Sequence, residues 1–214
     1  MPSNKTTLRE KFLALRARTT DDYRISAQHR IDQKVLKFIQ HFNLDKIALY
    51  MSKGKEVETR NIINWCLKNN VEVYLPKVSL NKTMDFYKIT NLKSDLELND
   101  GLKIYEPVIS KTKKLNDPNS LQAYFVPLIC FDKNLNRIGF GQGYYDRYFY
   151  GWDYSGYKVG LARMNQLSEK KIDASQFDAR LDLIITDDEI FVAKKDESML
   201  ETDLLFLDLK PTDK

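Results

Sequence analysis

Only two cysteines, Cys66 and Cys130, and two histidines, His29 and His41, occur in 214 residues. The cysteines stand far apart with no Cys-x-x-Cys spacing and no clustered histidine, which argues against a disulfide framework and against a Cys/His zinc site. Both are expected in the core as small apolar side chains. Both histidines fall in one helical segment, so a histidine base is not expected. No apolar run approaches the roughly 20 residues of a membrane span, and MPSNKTTLREKF lacks the apolar stretch of a signal peptide. A cytoplasmic protein with no membrane partner is expected.

Charge of one sign is also scarce as an excess: 34 basic against 30 acidic side chains leave +4, spread along the chain. This balance does not demand a nucleic-acid partner and suits a small anionic ligand equally well. The lysines of KTKK and KTTLREK are explained by solvated faces; RNA binding through them would need a steep salt dependence. With 43% hydrophobic residues the length closes one sizeable core, so residues 1–193 are expected to form a single α/β domain. The polar stretch 194–214 is read as an extension of unknown role, in which LLFLDL alone could add an edge strand.

Leu8, Phe12 and Leu15 recur at helical spacing, and Thr7 with Glu10 fits a capping box, predicting a first helix over 4–18. Lys5 and Arg9, four residues apart, share one face. Thr20 before two aspartates starts a second, long helix whose apolar stripe runs from Ile25 to Phe42. KIALYM (46–51), a helix carrying Ile62, Ile63, Cys66 and Leu67, and VEVYLPKV form a strand–helix–strand unit, which implies parallel pairing. MDFYKI (84–89) is a further strand, and NDGLKIYEP reads as a loop. YFVPLICF (124–131) suits a central strand that ends or bulges at Pro127, which has no backbone donor. A helix follows at 144–150, and YKVGLARM and LDLIITDD supply two more strands.

Between a predicted strand and a predicted helix lies RIGFGQGYYDRYF, from Arg137 to Phe149. Gly139, Gly141 and Gly143 leave main-chain N–H groups open to an anion at a helix N-terminus. The third glycine of a dinucleotide fingerprint is replaced by Tyr144, and no GK[ST] of a Walker loop follows. Glycines alone are equally consistent with a turn whose tyrosines cover the core. The neighbours add chemistry: Arg137 and Arg147 offer charge-assisted bonds to phosphate, Tyr144 and Tyr145 offer aromatic faces, and Asp146 offers oxygen to magnesium.

GFGQGYYDRY, with Arg137 ahead of it, resembles the signature R-[LI]-G-x-G-x-G-Y-Y-D of the 5-formyltetrahydrofolate cyclo-ligase family and matches it at every fixed position. The resemblance continues through Lys5 and Arg9 in KTTLR, Glu56 and Glu58 in KEVET, KIYEP, GLARMNQ and FDARLD, in order from residue 5 to about 190. Phe177 stands where many bacterial members have histidine, and the tail after Ala193 has no counterpart.

The resemblance implies a three-layer α/β fold with a mostly parallel, mixed sheet flanked by helices, Rossmann-like and similar to the phosphosugar-isomerase or coenzyme A transferase type. It implies closure of 5-formyltetrahydrofolate to 5,10-methenyltetrahydrofolate, dependent on ATP and Mg2+, in which the formyl oxygen is phosphorylated and ADP and phosphate are released. Lys5, Arg9, Arg137, Ile138, Gly139, Phe140, Gly141, Gln142, Gly143, Tyr144 and Tyr145 would hold ATP. Met51, Glu56, Phe140, Gln142 and Tyr144 would hold folate, Asp146 and Asp178 the metal, and Arg137 and Glu56 would act in catalysis. Without the resemblance, Lys5 and Arg9 read as a solvated helix face and Glu56 as a loop acid. Asp146 then reads as a first-turn carboxylate, and Asp178 competes with Asp173 and Asp182. The alternatives are a non-catalytic folate or nucleotide binding module and an ATP-independent isomerase-like or transferase-like enzyme, since fold does not fix chemistry. A monomer or weak dimer is expected.

Overall fold

The computed structural model describes residues 4–79, 81–151 and 153–193; the tail with LLFLDL lies outside them. The first helix, α1, spans Lys5–Arg18 and the second, α2, Asp21–His41, where the Thr20 hydroxyl accepts from the Tyr23 amide. Strand β1 (Lys46–Ala48), helix α3 (Arg60–Lys68) and strand β2 (Glu72–Val78) form the expected unit with parallel pairing. There follow β3 (Met84–Ile89), β4 (Leu96–Asn99), β5 (Ile104–Pro107), β6 (Lys113–Lys114), β7 (Ala123–Pro127), β8 (Cys130–Asp132) and β9 (Arg137–Ile138). The glycine segment leads into α4 (Tyr144–Phe149), and β10 (Tyr157–Leu161), β11 (Leu167–Ser168), β12 (Leu183–Ile185) and β13 (Ile190–Val192) complete the described chain.

The main sheet has the order β13-β12-β10-β7-β1-β2-β3-β6. Its five central strands, β12 to β2, are parallel, and the edges are antiparallel. This bears out the mostly parallel, mixed α/β sheet flanked by helices. Alternate residues face opposite sides, as strand geometry requires. Ile47, Phe125, Leu183 and Ile185 pack under α2 and α3 with Phe38 and Ile63, whereas Ala48, Tyr124, Val126 and Ile184 pack on the other side with Phe86 and Phe149.

Strand order reverses between β1 and β7: the chain leaves β1 for β2 on one side and later adds β7, β10 and β12 on the other. Such a reversal opens a crevice beyond the carboxyl ends of the two strands. Pro127 ends β7 as expected, and the chain passes into a second sheet, β11-β8-β9. Helix α1 packs on that small sheet through Leu8 and Phe12, against Ile129, Cys130, Ile138 and Ile172.

Two expectations fail locally. The predicted Thr7–Glu10 capping box does not form, because α1 starts earlier, after Asn4. The Asn4 side chain is engaged instead with the Lys171 carbonyl and the Asp173 amide. NDGLKIYEP is not a loop but the turn and second strand of the β4–β5 hairpin. The Asn99 side chain accepts from the Gly101 and Leu102 amides to make the turn, and buried Glu106 binds the Val78 amide.

Gly156 marks the tightest main-chain approach. A Cβ there would lie 2.2 Å from the Leu121 carbonyl oxygen, and the next amide, of Tyr157, donates to Gln122 to set the β10–β7 register. Backbone cannot swing aside as a side-chain tip can. Gly156→Ala is expected to cost roughly 1 to 3 kcal/mol. Urea unfolding should show a lower midpoint at unchanged slope.

Candidate functional site

The crevice is framed by three pieces of chain: the loop after β1, the glycine segment after β9, and the turn after β10. Helix α1 lies across them. Lys5, Arg9, Phe12 and Arg16 recur at helical spacing along one face of α1, and each of the three cations reaches a different wall. Lys5 Nζ donates to Asp178 Oδ2 at 2.5 Å, Arg9 Nε to the Gly139 carbonyl at 2.9 Å, and Arg16 Nη2 to the Leu128 carbonyl at 2.8 Å. The Arg9 guanidinium also lies against Gly141.

At the glycine end, Arg137 is buried at 8% exposure and pairs with Asp146, Nη2 to Oδ1 at 2.8 Å. The same carboxylate oxygen accepts from the Ala179 amide at 3.1 Å. Asp146 is thereby joined to the main chain one residue beyond Asp178. Asp173 and Asp182 are turned to other tasks, the first accepting from the Asn4 amide and the second from the Lys158 amide. Burial pushes the Asp178 carboxyl up, but hydrogen bonds from Lys5 and from the Ser175 amide and hydroxyl outweigh it and hold it below its ordinary value. Asp146 Oδ2 and Asp178 Oδ1 have no hydrogen-bond donor among the described residues. Carboxylate oxygens without donors are the kind of ligand that magnesium takes. No set of three or more His, Cys, Asp or Glu side chains gathers as a metal site among the described residues.

Gly143 caps α4 with φ +66°, a left-handed conformation that glycine adopts without strain. Arg147 closes behind it, donating from Nη2 to the Gln142 carbonyl at 2.6 Å and lying over the Tyr144 ring. Tyr145 turns inward: Arg137 lies over its ring, and its buried hydroxyl has no hydrogen-bond partner among the described residues. Burial pushes that hydroxyl's pKa up, as does the charge of Glu56, with Arg137 opposing. Ile138 sits in the core under α1, so only its main chain can serve the crevice. Phe140 and Gln142 are exposed, and Phe140 presents its ring toward the Arg16 guanidinium.

On the β1 side, Met51 and Glu56 are buried. Glu56 Oε2 accepts from the Lys53 amide at 2.7 Å. Burial raises its pKa, opposed by the Lys53 amide bond and by the charges of Arg16 and Lys53. The loop carrying it is tied down by Tyr50 to the Val57 carbonyl and by Arg163 to the Lys55 and Glu56 carbonyls. Arg16, Arg163, Phe12, Thr19 and Gln166 enclose a cavity of about 10 Å³, near the least that holds a water molecule.

Contacts thus link Lys5, Arg9, Arg137, Asp146 and Asp178 at one end, and Glu56, Arg16 and Phe140 toward the other, whereas Met51 packs in the core cluster with Phe38 and Ile63. Sequence reasoning missed Arg16 and Arg163. Arg16 had a signal, since it lies seven residues after Arg9 on the same helix face. Arg163 had none, as its role depends on a loop far away in the chain.

Because burial raises the Glu56 pKa, the folded state holds that proton more tightly than the unfolded chain, whose value is about 4.3. The stability Glu56 contributes is full below that value and is lost as pH rises through the folded pKa. Glu56→Gln is therefore expected to be more stable than the parent at neutral pH, with the advantage vanishing below about pH 4. Urea midpoints across pH 3.5 to 7.5 check this; a variant equally stable at both ends contradicts it.

The sequence model of the 5-formyltetrahydrofolate cyclo-ligase family matches residues 2–187. A 5-formyltetrahydrofolate cyclo-ligase of Haemophilus influenzae is 31% identical over 164 residues, covering 76% of this chain and 87% of the relative. One of Saccharomyces cerevisiae is 31% identical over 187 residues, covering 78% and 88%. The solved 5,10-methenyltetrahydrofolate synthetase of Aquifex aeolicus superimposes with a TM-score of 0.76 at 27% identity, over 89% of this chain and 93% of that one. That of Mycoplasma pneumoniae gives 0.70 at 27%, over 86% and 99%. A match over nearly the whole described chain, in sequence and in fold, places this protein in the 5-formyltetrahydrofolate cyclo-ligase family.

Proposed function

We propose that this chain closes 5-formyltetrahydrofolate to 5,10-methenyltetrahydrofolate using ATP and Mg2+, as a cytoplasmic enzyme, monomeric or weakly dimeric, whose catalytic domain is residues 1–193. The observation that carries this reading is convergence. Lys5 and Arg9 of the first helix, Arg137 and Asp146 of the glycine segment, and Asp178 meet in one crevice.

A formamide oxygen is a poor leaving group. In this reading it attacks the γ-phosphorus, and the bond from that phosphorus to the bridging oxygen breaks to release ADP. Nitrogen 10 then bonds to the formyl carbon and loses its proton, and the carbon–oxygen bond breaks to release phosphate. The protein's share is positioning and charge neutralisation. Lys5, Arg9 and Arg137 would bind phosphate oxygens together with main-chain N–H groups of Gly139 to Tyr145. Asp146 and Asp178 would hold Mg2+, which supplies neutralisation of phosphate charge. Met51, Phe140, Gln142 and Tyr144 would line the folate. Glu56, made more basic by burial, would accept the nitrogen 10 proton.

The ion pairs support this division of labour. Each candidate metal acid is matched to a candidate phosphate cation, Asp146 to Arg137 and Asp178 to Lys5, so the pair sets are close to neutral. A magnesium–polyphosphate adds opposite charges in the same places.

The test is direct. Protein mixed with 5-formyltetrahydrofolate, ATP and Mg2+ is expected to yield the near-ultraviolet absorbance of the methenyl product together with ADP. Omitting ATP or metal should abolish both. Folate binding with no ADP would identify a binding module, and product without ATP an isomerase-like enzyme. Arg137→Ala removes roughly 1.5 to 3 kcal/mol of charge-assisted bonding and should lower turnover at least about tenfold. Near-parental turnover in a folded Arg137→Ala protein would remove Arg137 from the mechanism.

A further inference from the structure

Arg163 follows β10 at its carboxyl end and is 3% exposed. It has no carboxylate partner among the described residues. Its guanidinium is used on main chain instead: Nη1 donates to the Lys55 carbonyl at 3.0 Å and Nη2 to the Glu56 carbonyl at 3.1 Å. These are the carbonyls on either side of the Glu56 amide and α-carbon. Its own amide is held by Gln166 Oε1 at 2.8 Å, and Gln166 Nε2 donates to the Leu128 and Ile129 carbonyls at 3.0 and 2.9 Å. One continuous chain of bonds therefore runs from the end of β7, through the turn after β10, to the loop after β1.

Burying this cation is unfavourable, the more so because Arg16 and Arg24 act on it with like charge. Its Nε has no hydrogen-bond partner among the described residues. A contact serving stability alone would be met at less cost by a neutral side chain. The fork geometry of a guanidinium is what spans two successive carbonyls.

We propose that Arg163 is a positioning residue for the folate end of the crevice: by clamping the Lys55 and Glu56 carbonyls it aims the Glu56 carboxylate at the reduced folate. This rests on the cyclo-ligase reading and extends it to a residue that touches neither substrate. Glu56 sits on a loop rather than a strand, and among the described residues its carboxylate accepts only from the Lys53 amide of the same loop. Its place relative to the glycine segment is therefore set by what ties the loop to the far wall.

The test compares wild type, Arg163→Met and Arg163→Lys. Each is measured for melting, for steady-state turnover, and for calorimetric binding of 5-formyltetrahydrofolate and, separately, of ATP with Mg2+. Arg163→Met is expected to raise KM and Kd for 5-formyltetrahydrofolate at least tenfold while KM for ATP stays within twofold. Arg163→Lys should recover part of the loss. In a Glu56→Gln background, where there is no carboxylate left to aim, the same change should cost less than twofold. Should Arg163→Met not fold, Arg163→Gln carries the same comparison, keeping one amide donor without the charge.

A folded variant whose folate KM stays within twofold overturns the proposal, as do equal rises in both KM values or an undiminished effect beside Glu56→Gln. The two readings part cleanly. Wild type that binds 5-formyltetrahydrofolate in an Arg163-dependent way but forms no methenyl product retains the clamp and loses the cyclo-ligase; active wild type with Arg163-independent folate binding does the reverse.

Discussion

The Leu128 carbonyl lies just past the last pairing of β7 with β10, where Pro127 has ended the strand and the chain is crossing into the small sheet. A buried carbonyl in that position must find a donor. It finds two, Arg16 Nη2 from above and Gln166 Nε2 from the side. That requirement fixes α1 over the crevice and the turn after β10 against it. Once α1 is held there, Lys5 and Arg9 necessarily fall over the Asp178 segment and the glycine segment. A proline in a central strand thus sets the place of two cations more than a hundred residues away in sequence.

The parallel core makes this workable. With β1 and β7 adjacent and their successors diverging, the loops at their carboxyl ends have room to spread. Both faces of these strands are buried under helices or aromatic side chains, so the strand ends are rigid mounts for otherwise irregular chain. The glycine segment needs such mounts. Its ends are fixed by β9, packed under α1, and by α4, whose Phe149 packs with Tyr124. Between them Gly139 to Gly143 is held by side chains, Arg9 on the Gly139 carbonyl and Arg147 on the Gln142 carbonyl.

Most elements were legible because their signals are local. The stripe read from Ile25 to Phe42 made α2, although only Ile31 to Ile39 is buried and Ile25 lies exposed; MDFYKI made β3, and the missing donor of Pro127 ended β7. The β4–β5 hairpin was misread because its turn chemistry comes from the Asn99 side chain and its inward residue is Glu106, an acid that no apolar pattern marks. At the site, the glycines, Arg137 and Asp146 were legible as one motif, and Lys5 with Arg9 as a helix face. Asp178 was set beside Asp146 by the family resemblance alone; residue patterns left Asp173 and Asp182 as rivals, since the link runs through the Ala179 amide. Arg163 lay beyond reach for the same reason: its partners are carbonyls, and a carbonyl has no residue identity.

What the fold leaves unsatisfied is concentrated. The buried side-chain atoms without a hydrogen-bond partner among the described residues are the Nε of Arg16, Arg24, Arg137 and Arg163 and the hydroxyl of Tyr145. Arg16, Arg137, Arg163 and Tyr145 line the crevice, and Arg24 pairs with Glu58 in the loop that carries Glu56. A random scatter of such defects would spread over two core faces and three sheets. Four of the five gather there, beside a carboxylate whose burial raises its pKa, so local consistency is given up mainly in one place.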